Sequence, residues 1–243
     1  MLYSFCRLFI LFIIYSFIGY VSELIYCSIQ FKKIVLNRGF FIGPYLPIYG
    51  FCCIMMTFFL EKYNNDLLAL FVMSIVLCSI TEFVTSYVLE KIYKVRWWDY
   101  SNMKFNFEGR ICLLNSCLFG VGGVVLIHFI NPTIYPLLDM LPNNVLIIIG
   151  ISLMVIFLID LSVSIKTLHE IKISSNEYSD HDATEEIKFL VREKIKKGSF
   201  FITRLLNAFP SIGGKNMKKV INLKKFTNEI RIRLKQQNKN KDY

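Results

Sequence analysis

The sequence predicts an all-α, polytopic membrane protein with five transmembrane helices, its N-terminus outside and its C-terminus cytoplasmic, ending in a basic, partly helical tail. Three observations predict it. Of 243 residues, 54% are hydrophobic and only 19% charged, with a mean hydropathy of +0.48. A soluble domain of this size cannot bury that much apolar surface. The apolar residues also fall into five runs, each near the roughly 20 residues that a helix needs to cross the hydrocarbon core. Finally, the net charge of +10 is concentrated at one end: residues 171–243 hold 17 Lys/Arg against 8 Asp/Glu, and the first 170 hold 11 against 10.

The first span, residues 8–30, carries one charge, Glu23. It is too long for a signal-peptide core and has no small-x-small cleavage site, so it reads as a helix that stays in the membrane. The second, 44–61, grows out of "GFFIGPYLPIYG", whose three glycines and two prolines predict an irregular or re-entrant entry. Such backbone survives in a membrane only where protein or a cavity lines it. Spans three to five are 67–90, 111–130 and 145–166. "NPTIYPLLDMLPNN" between the last two reads as a loop. Residues 1–170 form the membrane domain and 171–243 the tail.

The loops set the orientation. Lys32, Lys33 and Arg38 follow span one, and Lys91, Lys94, Arg96, Lys104 and Arg110 lie between spans three and four. The loops after spans two and four hold one lysine and none. Cationic loops stay on the cytoplasmic side, so the alternation places the N-terminus outside. In the tail, "DATEEIKFLVREKIKK" and "KNMKKVINLKKFTNEIRIRL" read as basic amphipathic helices suited to an anionic membrane face.

Some chemistries find no support. "GGK" at 213–215 lacks the earlier Gly and the following Ser/Thr of a phosphate loop. The seven cysteines lie within or beside apolar runs, without C-x-x-C spacing, and read as packing residues. With no nucleophile or metal motif, the chain is not expected to be an enzyme, and no cofactor is expected. Without a base-reading module, nucleic acid is not expected as a partner.

The candidate site comes from polar groups inside the spans. Glu23, Glu82 and Asp160 are intramembrane acids, each costing about 2.5–3.5 kcal/mol on insertion scales, and each is therefore a functional candidate. The orientation puts all three in the cytoplasmic half, with Asn115 and Ser116 entering from the same side. Ser74, Cys78, Glu82, Ser86 and Glu90 recur at i, i+4 along one face of span three; Ser16, Glu23 and Gln30 recur every seven residues in span one. Arg38 and Arg110 are the obvious countercharges, as Glu23–Arg38 and Glu82–Arg110 pairs. Such pairs could line a water-accessible cavity or only staple helices to loops, and both readings stand. His128 reads as interfacial. In "WWDYSNMKFNFEGR", Trp97, Trp98 and Tyr100 suit the headgroup level. Asp99, Ser101, Asn106 and Arg110 suggest a hydrogen-bonded cap over the inner side, and Gly109 lets the backbone turn.

Two long motifs carry a resemblance. "NRGFFIGPYLPIYG" (N-R-G-F-x-x-G-P-x-x-P-I-Y-G) and "WWDYSNMKFNFEGRI" (W-W-D-Y-S-x-x-x-F-N-x-x-G-R-I) resemble the bacterial family known as putative ABC-transporter type IV, or CmpB-like permeases. The resemblance spans roughly residues 1–170. It marks Glu23, Asn37, Arg38, Gly39, Gly43, Pro44, Pro47, Tyr49, Gly50, Glu82, Glu90, Trp97, Trp98, Asp99, Tyr100, Asn106, Gly109 and Arg110. It implies a multi-pass permease of the cell membrane, the membrane subunit of a transport system, and fixes no substrate. The expected partners are membrane lipids and either a separate ATPase subunit or a second copy of the chain. Two alternatives remain: a scaffold or regulatory membrane protein without transport, and an interfacial enzyme acting on lipid.

Overall fold

The computed structural model describes residues 1–32, 39–93 and 97–177, with side chains throughout except at 30, 31, 93 and 167–177. The chain divides into two units, Met1–Lys166 and Thr167–Tyr243, and the fold below is that of the first. The expected tail helices beyond residue 177 lie outside the described residues, as do Asn37 and Arg38.

The first unit is built from α1 (Leu2–Phe31), α2 (Pro47–Leu60), α3 (Leu67–Tyr93), a short hairpin of β1 (Asn106–Phe107) and β2 (Ile111–Cys112), α4 (Leu113–Val125), a π-helical segment Leu126–Ile130, α5 (Asn131–Asp139), and the part of α6 (Asn143–Glu177) up to Lys166. Among the described residues, four helical stretches are long and apolar enough to cross a membrane: Leu2–Ile29, Leu67–Ile92, Leu113–Asp139 and Asn143–Lys166. Their outward faces are apolar as well, with Phe17, Ile80, Val121, Ile148 and Ile156 all exposed. A surface of that kind is stable against lipid rather than water.

Two expectations need correction. The second span is shorter than expected: α2 has 14 residues, about 21 Å at 1.5 Å per residue, short of the hydrocarbon thickness of about 30 Å. Pro47 occupies its first turn, where a missing N–H costs nothing, and residues 39–46 before it are irregular, as their glycines and prolines suggested. The fourth span does not end at Ile130, because the helix carries on to Asp139. Pro132 falls at the start of α5, just after the π-helical segment, so its missing N–H and its bulk interrupt no regular turn. The fold is mostly helical as expected, with one hairpin of two-residue strands in the 97–112 loop. Glu108 (φ 52°) and Gly109 (φ 66°) are both left-handed, and the Arg110 amide donates to the Phe107 carbonyl. That reverses the chain and pairs Phe107 with Ile111.

Small residues let the helices approach closely. Gly50 of α2 lies against the Ser16 hydroxyl and the Phe12 carbonyl of α1. Gly123 of α4 lies against Ser74 of α3, and Gly150 of α6 against Cys6 of α1. Helices in lipid pack in this way because apolar area alone offers no preference for protein over lipid. Phe157 of α6 joins Phe9 and Phe12 through edge-on ring contacts.

Two sets of contacts define the ends of the bundle. At one end Arg7 pairs with Asp139 at 2.8 Å, and the His128 ring lies between the carbonyl oxygens of Asn64 (3.0 Å) and Val124 (3.2 Å) and can donate its N–H to one of them. Between the ends, Tyr15 donates to Asn131, which donates to Thr57. The other end holds the C-terminal parts of α1 and α3, residues 39–46, the 97–112 loop and Asp160.

Candidate functional site

The α3 ridge forms the floor of the site. Ser74, Cys78, Glu82 and Ser86 follow one another every four residues, and all four are buried. Glu90 continues the ridge, half-buried, toward the loop. The helical repeat keeps these five on one face, and that face is turned inward.

The 97–112 loop closes over the ridge, stitched together by its own polar groups. Asn106 donates to the carbonyls of Ser101 and Met103 and accepts from the Gly109 amide. Asp99 accepts from the amide and hydroxyl of Ser101. The Tyr100 amide donates to the Gly109 carbonyl, and the Trp98 indole to the Arg110 carbonyl. Trp97 meets Phe40 edge-on at 5.3 Å, tying this loop to residues 39–46. These bonds fix where Tyr100 and Arg110 point.

Arg110 is buried and pairs with Glu90 at 2.7 Å, not with Glu82 as expected. It also reaches Glu108 at 3.3 Å and the Ser86 hydroxyl, and its guanidinium lies over the Phe83 and Tyr87 rings. The reason is depth. Glu82 sits one turn further in than Ser86, and Tyr100 reaches it instead, donating to Oε1 at 3.0 Å. Burial, then the Glu82 carboxylate, push the Tyr100 phenol well above the ordinary tyrosine range, with Glu23 adding to the effect. Tyr100 therefore remains a protonated donor across physiological pH.

Glu23 faces the same region from α1. Tyr49, one turn into α2, donates to its Oε2 at 2.9 Å, and Cys27 to its Oε1 at 3.3 Å. Tyr26 donates to Asn115 of α4. Glu23, Tyr49, Glu82, Tyr100, Tyr26 and Asn115 thus bring together α1, α2, α3, α4 and the loop. The Glu23–Arg38 pair lies outside the described residues.

Asp160 does different work at this end. It is buried, and it accepts the amides of Ile42 (2.9 Å) and Gly43 (2.8 Å), the Ser164 hydroxyl and the Tyr45 hydroxyl. One carboxylate therefore holds the irregular segment against α6. Gly39, at φ 93°, takes a conformation open to glycine, with Leu46 packed on the face where a Cβ would stand. Pro44 is exposed and Pro47 starts α2.

Sequence reasoning missed Tyr26 and Tyr45. Tyr26 follows Glu23 by three residues, on a neighbouring position of the same helix face, and that spacing was the available signal. Tyr45 stands at an unspecified position of the first motif, and its partner is 115 residues away.

A family model described as "Putative ABC-transporter type IV" matches residues 10–165, well over half the chain. No curated protein and no solved structure matches.

Proposed function

The chain belongs to the family described as "Putative ABC-transporter type IV", and we propose that it is a permease subunit of the cell membrane. In this reading residues 1–170 form the membrane domain. Residues 39–61, an irregular entry followed by α2, make a fifth, re-entrant or spanning element beside the four long helices. The N-terminus is outside, and the end carrying Glu23, Glu82 and Asp160 faces the cytoplasm. Positive loop charge supports that orientation. The chain supplies the pathway, and a separate ATPase supplies the energy, docking on the cytoplasmic loops and the basic tail. Pairing with a second copy would give the pathway more helices than one chain holds.

One observation carries the proposal: acids from three apolar helices converge at one end, and two of them, Glu23 and Glu82, share a tyrosine-lined region with no salt-bridged cation among the described residues. Intramembrane acids left in that state are costly, and they characteristically mark ion or substrate pathways. The candidate residues are Glu23, Glu82, Tyr49, Tyr100 and Asn115, with Arg110, Glu90, Asp99 and Asn106 shaping the loop above them.

Capture of the tagged full-length chain from its native membranes, followed by mass spectrometry, tests this reading. It predicts an ATPase in the captured complex and ATPase activity that survives purification. Capture of the chain alone or with soluble regulators favours the scaffold reading. Turnover of a lipid by the purified chain without ATP favours the enzyme reading.

A further inference from the structure

Among the described residues, two buried polar atoms of the α3 ridge have no hydrogen-bond partner, the Ser74 hydroxyl and one oxygen of Glu82, and of these the carboxylate oxygen is the more costly. Glu82 is 6% exposed, its Oε1 takes the Tyr100 hydroxyl, and its Oε2 is buried with no hydrogen-bond partner. A carboxylate can accept about four hydrogen bonds, so one bond on a buried, ionised group leaves most of its charge unanswered.

Among the described residues, the groups facing it do not supply the answer. From α1 come Glu23 and Tyr26, from α2 Tyr49 and Cys52, from α3 itself Cys78, and from the loop Tyr100. All are acids or neutral donors. Arg110, the nearest cation along the ridge, is held by Glu90 and Glu108. Two carboxylates in one low-dielectric region cannot both stay charged without a positive charge between them.

We propose that Glu82 and Glu23 together hold one small hard cation, an alkali-metal ion or a proton, at the free Oε2 of Glu82. The surrounding atoms suit it. Carboxylate, phenol and amide oxygens from Glu82, Glu23, Tyr49, Tyr100 and Asn115 are hard donors. One monovalent cation or proton lowers the charge of the two carboxylates from −2 to −1, and the Tyr49 and Tyr100 hydroxyls donate to what remains; among the described residues no three His, Cys, Asp or Glu side chains gather as a divalent or transition-metal site would require. The inference rests on this acidic end being the working part of the permease, and it assigns that end a coupling or transported cation.

The test is thermal unfolding of the full-length protein in nanodiscs, at fixed ionic strength, with Na+ or K+ replacing choline. An alkali ion at Glu82 raises the unfolding temperature saturably, by about 5–10 °C at roughly 100 times its Kd, and E82Q abolishes the rise. A proton at Glu82 gives no alkali effect; instead the unfolding temperature falls as pH rises, and this slope flattens in E82Q. The sign follows because loss of that proton leaves two unscreened carboxylates. Tyr100→Phe, which keeps the ring and removes one oxygen, should weaken either response without abolishing it. Identical alkali and pH dependence in wild type and E82Q overturns the proposal. A retained ion response without any captured ATPase overturns the permease reading alone, and an ATPase complex with no ion response overturns this inference alone.

Discussion

Asp160→Asn tests how residues 39–46 are held. Asparagine matches aspartate in shape but keeps one acceptor oxygen and puts an NH2 donor where the other stood. In one orientation the NH2 faces the Ile42 amide, and in the other it faces the Gly43 amide. The hydroxyls of Ser164 and Tyr45 can rotate away, but a backbone N–H cannot. One buried amide therefore loses its acceptor, at about 1–3 kcal/mol, and the remaining bonds drop from charge-assisted to neutral, at about another 1 kcal/mol. Removing a buried charge returns part of this, leaving a net loss of about 2–3 kcal/mol. For a domain of this size that corresponds to about 5–10 °C in the unfolding temperature. The assay is fluorescence-monitored unfolding of the purified protein, run beside limited proteolysis between Gly39 and Leu46. Faster cleavage there, with α1 and α3 still protected, is the expected pattern. An unfolding temperature within a degree of wild type and unchanged cleavage would refute the reasoning.

The remaining expectations concern packing, pairing and orientation. Gly50→Val places side-chain atoms against the Ser16 hydroxyl and the Phe12 carbonyl; it should cost about 1–3 kcal/mol, read as a lower unfolding temperature. Arg110→Lys cannot span Glu90, Glu108 and Ser86 together and should lose about 1–2 kcal/mol, and Arg110→Gln about 3 kcal/mol, in chemical unfolding. Cysteines placed at Asn102 and Met140, both exposed, should label from opposite sides with a membrane-impermeant thiol reagent: Met140→Cys in intact cells, and Asn102→Cys only after lysis. Labelling of both positions from one side would overturn the orientation.

Much of the architecture was legible in the sequence, because lipid makes span length and loop charge strong local signals. The inward turn of Ser74, Cys78, Glu82 and Ser86 could be read from their spacing alone. Other features depended on long-range geometry. The i, i+4 ridge offers Arg110 three partners in Glu82, Ser86 and Glu90, and only the depth at which the hairpin delivers Arg110 decides among them. Gly109 signalled a bend, but not that Glu108 would share its left-handed conformation. Asp160 was visible as a buried acid, yet its hold on Ile42, Gly43 and Tyr45 closes a gap of more than 110 residues that no local pattern encodes. The extension of α4 through Pro132 depends on the preceding π-helical segment, which hydropathy does not register.

The most direct measurement compares E90Q with E82Q in choline-based buffer, by unfolding temperature in nanodiscs. Glu90 gives Arg110 its shorter ion pair, so E90Q leaves the buried cation only the longer contact with the more exposed Glu108 and should unfold several degrees below wild type. Glu82 pairs with no cation among the described residues, so E82Q should match wild type or exceed it. A drop confined to E82Q, with E90Q unchanged, would mean that Arg110 neutralises the deeper acid, and the uncompensated carboxylate at the heart of the site would not exist.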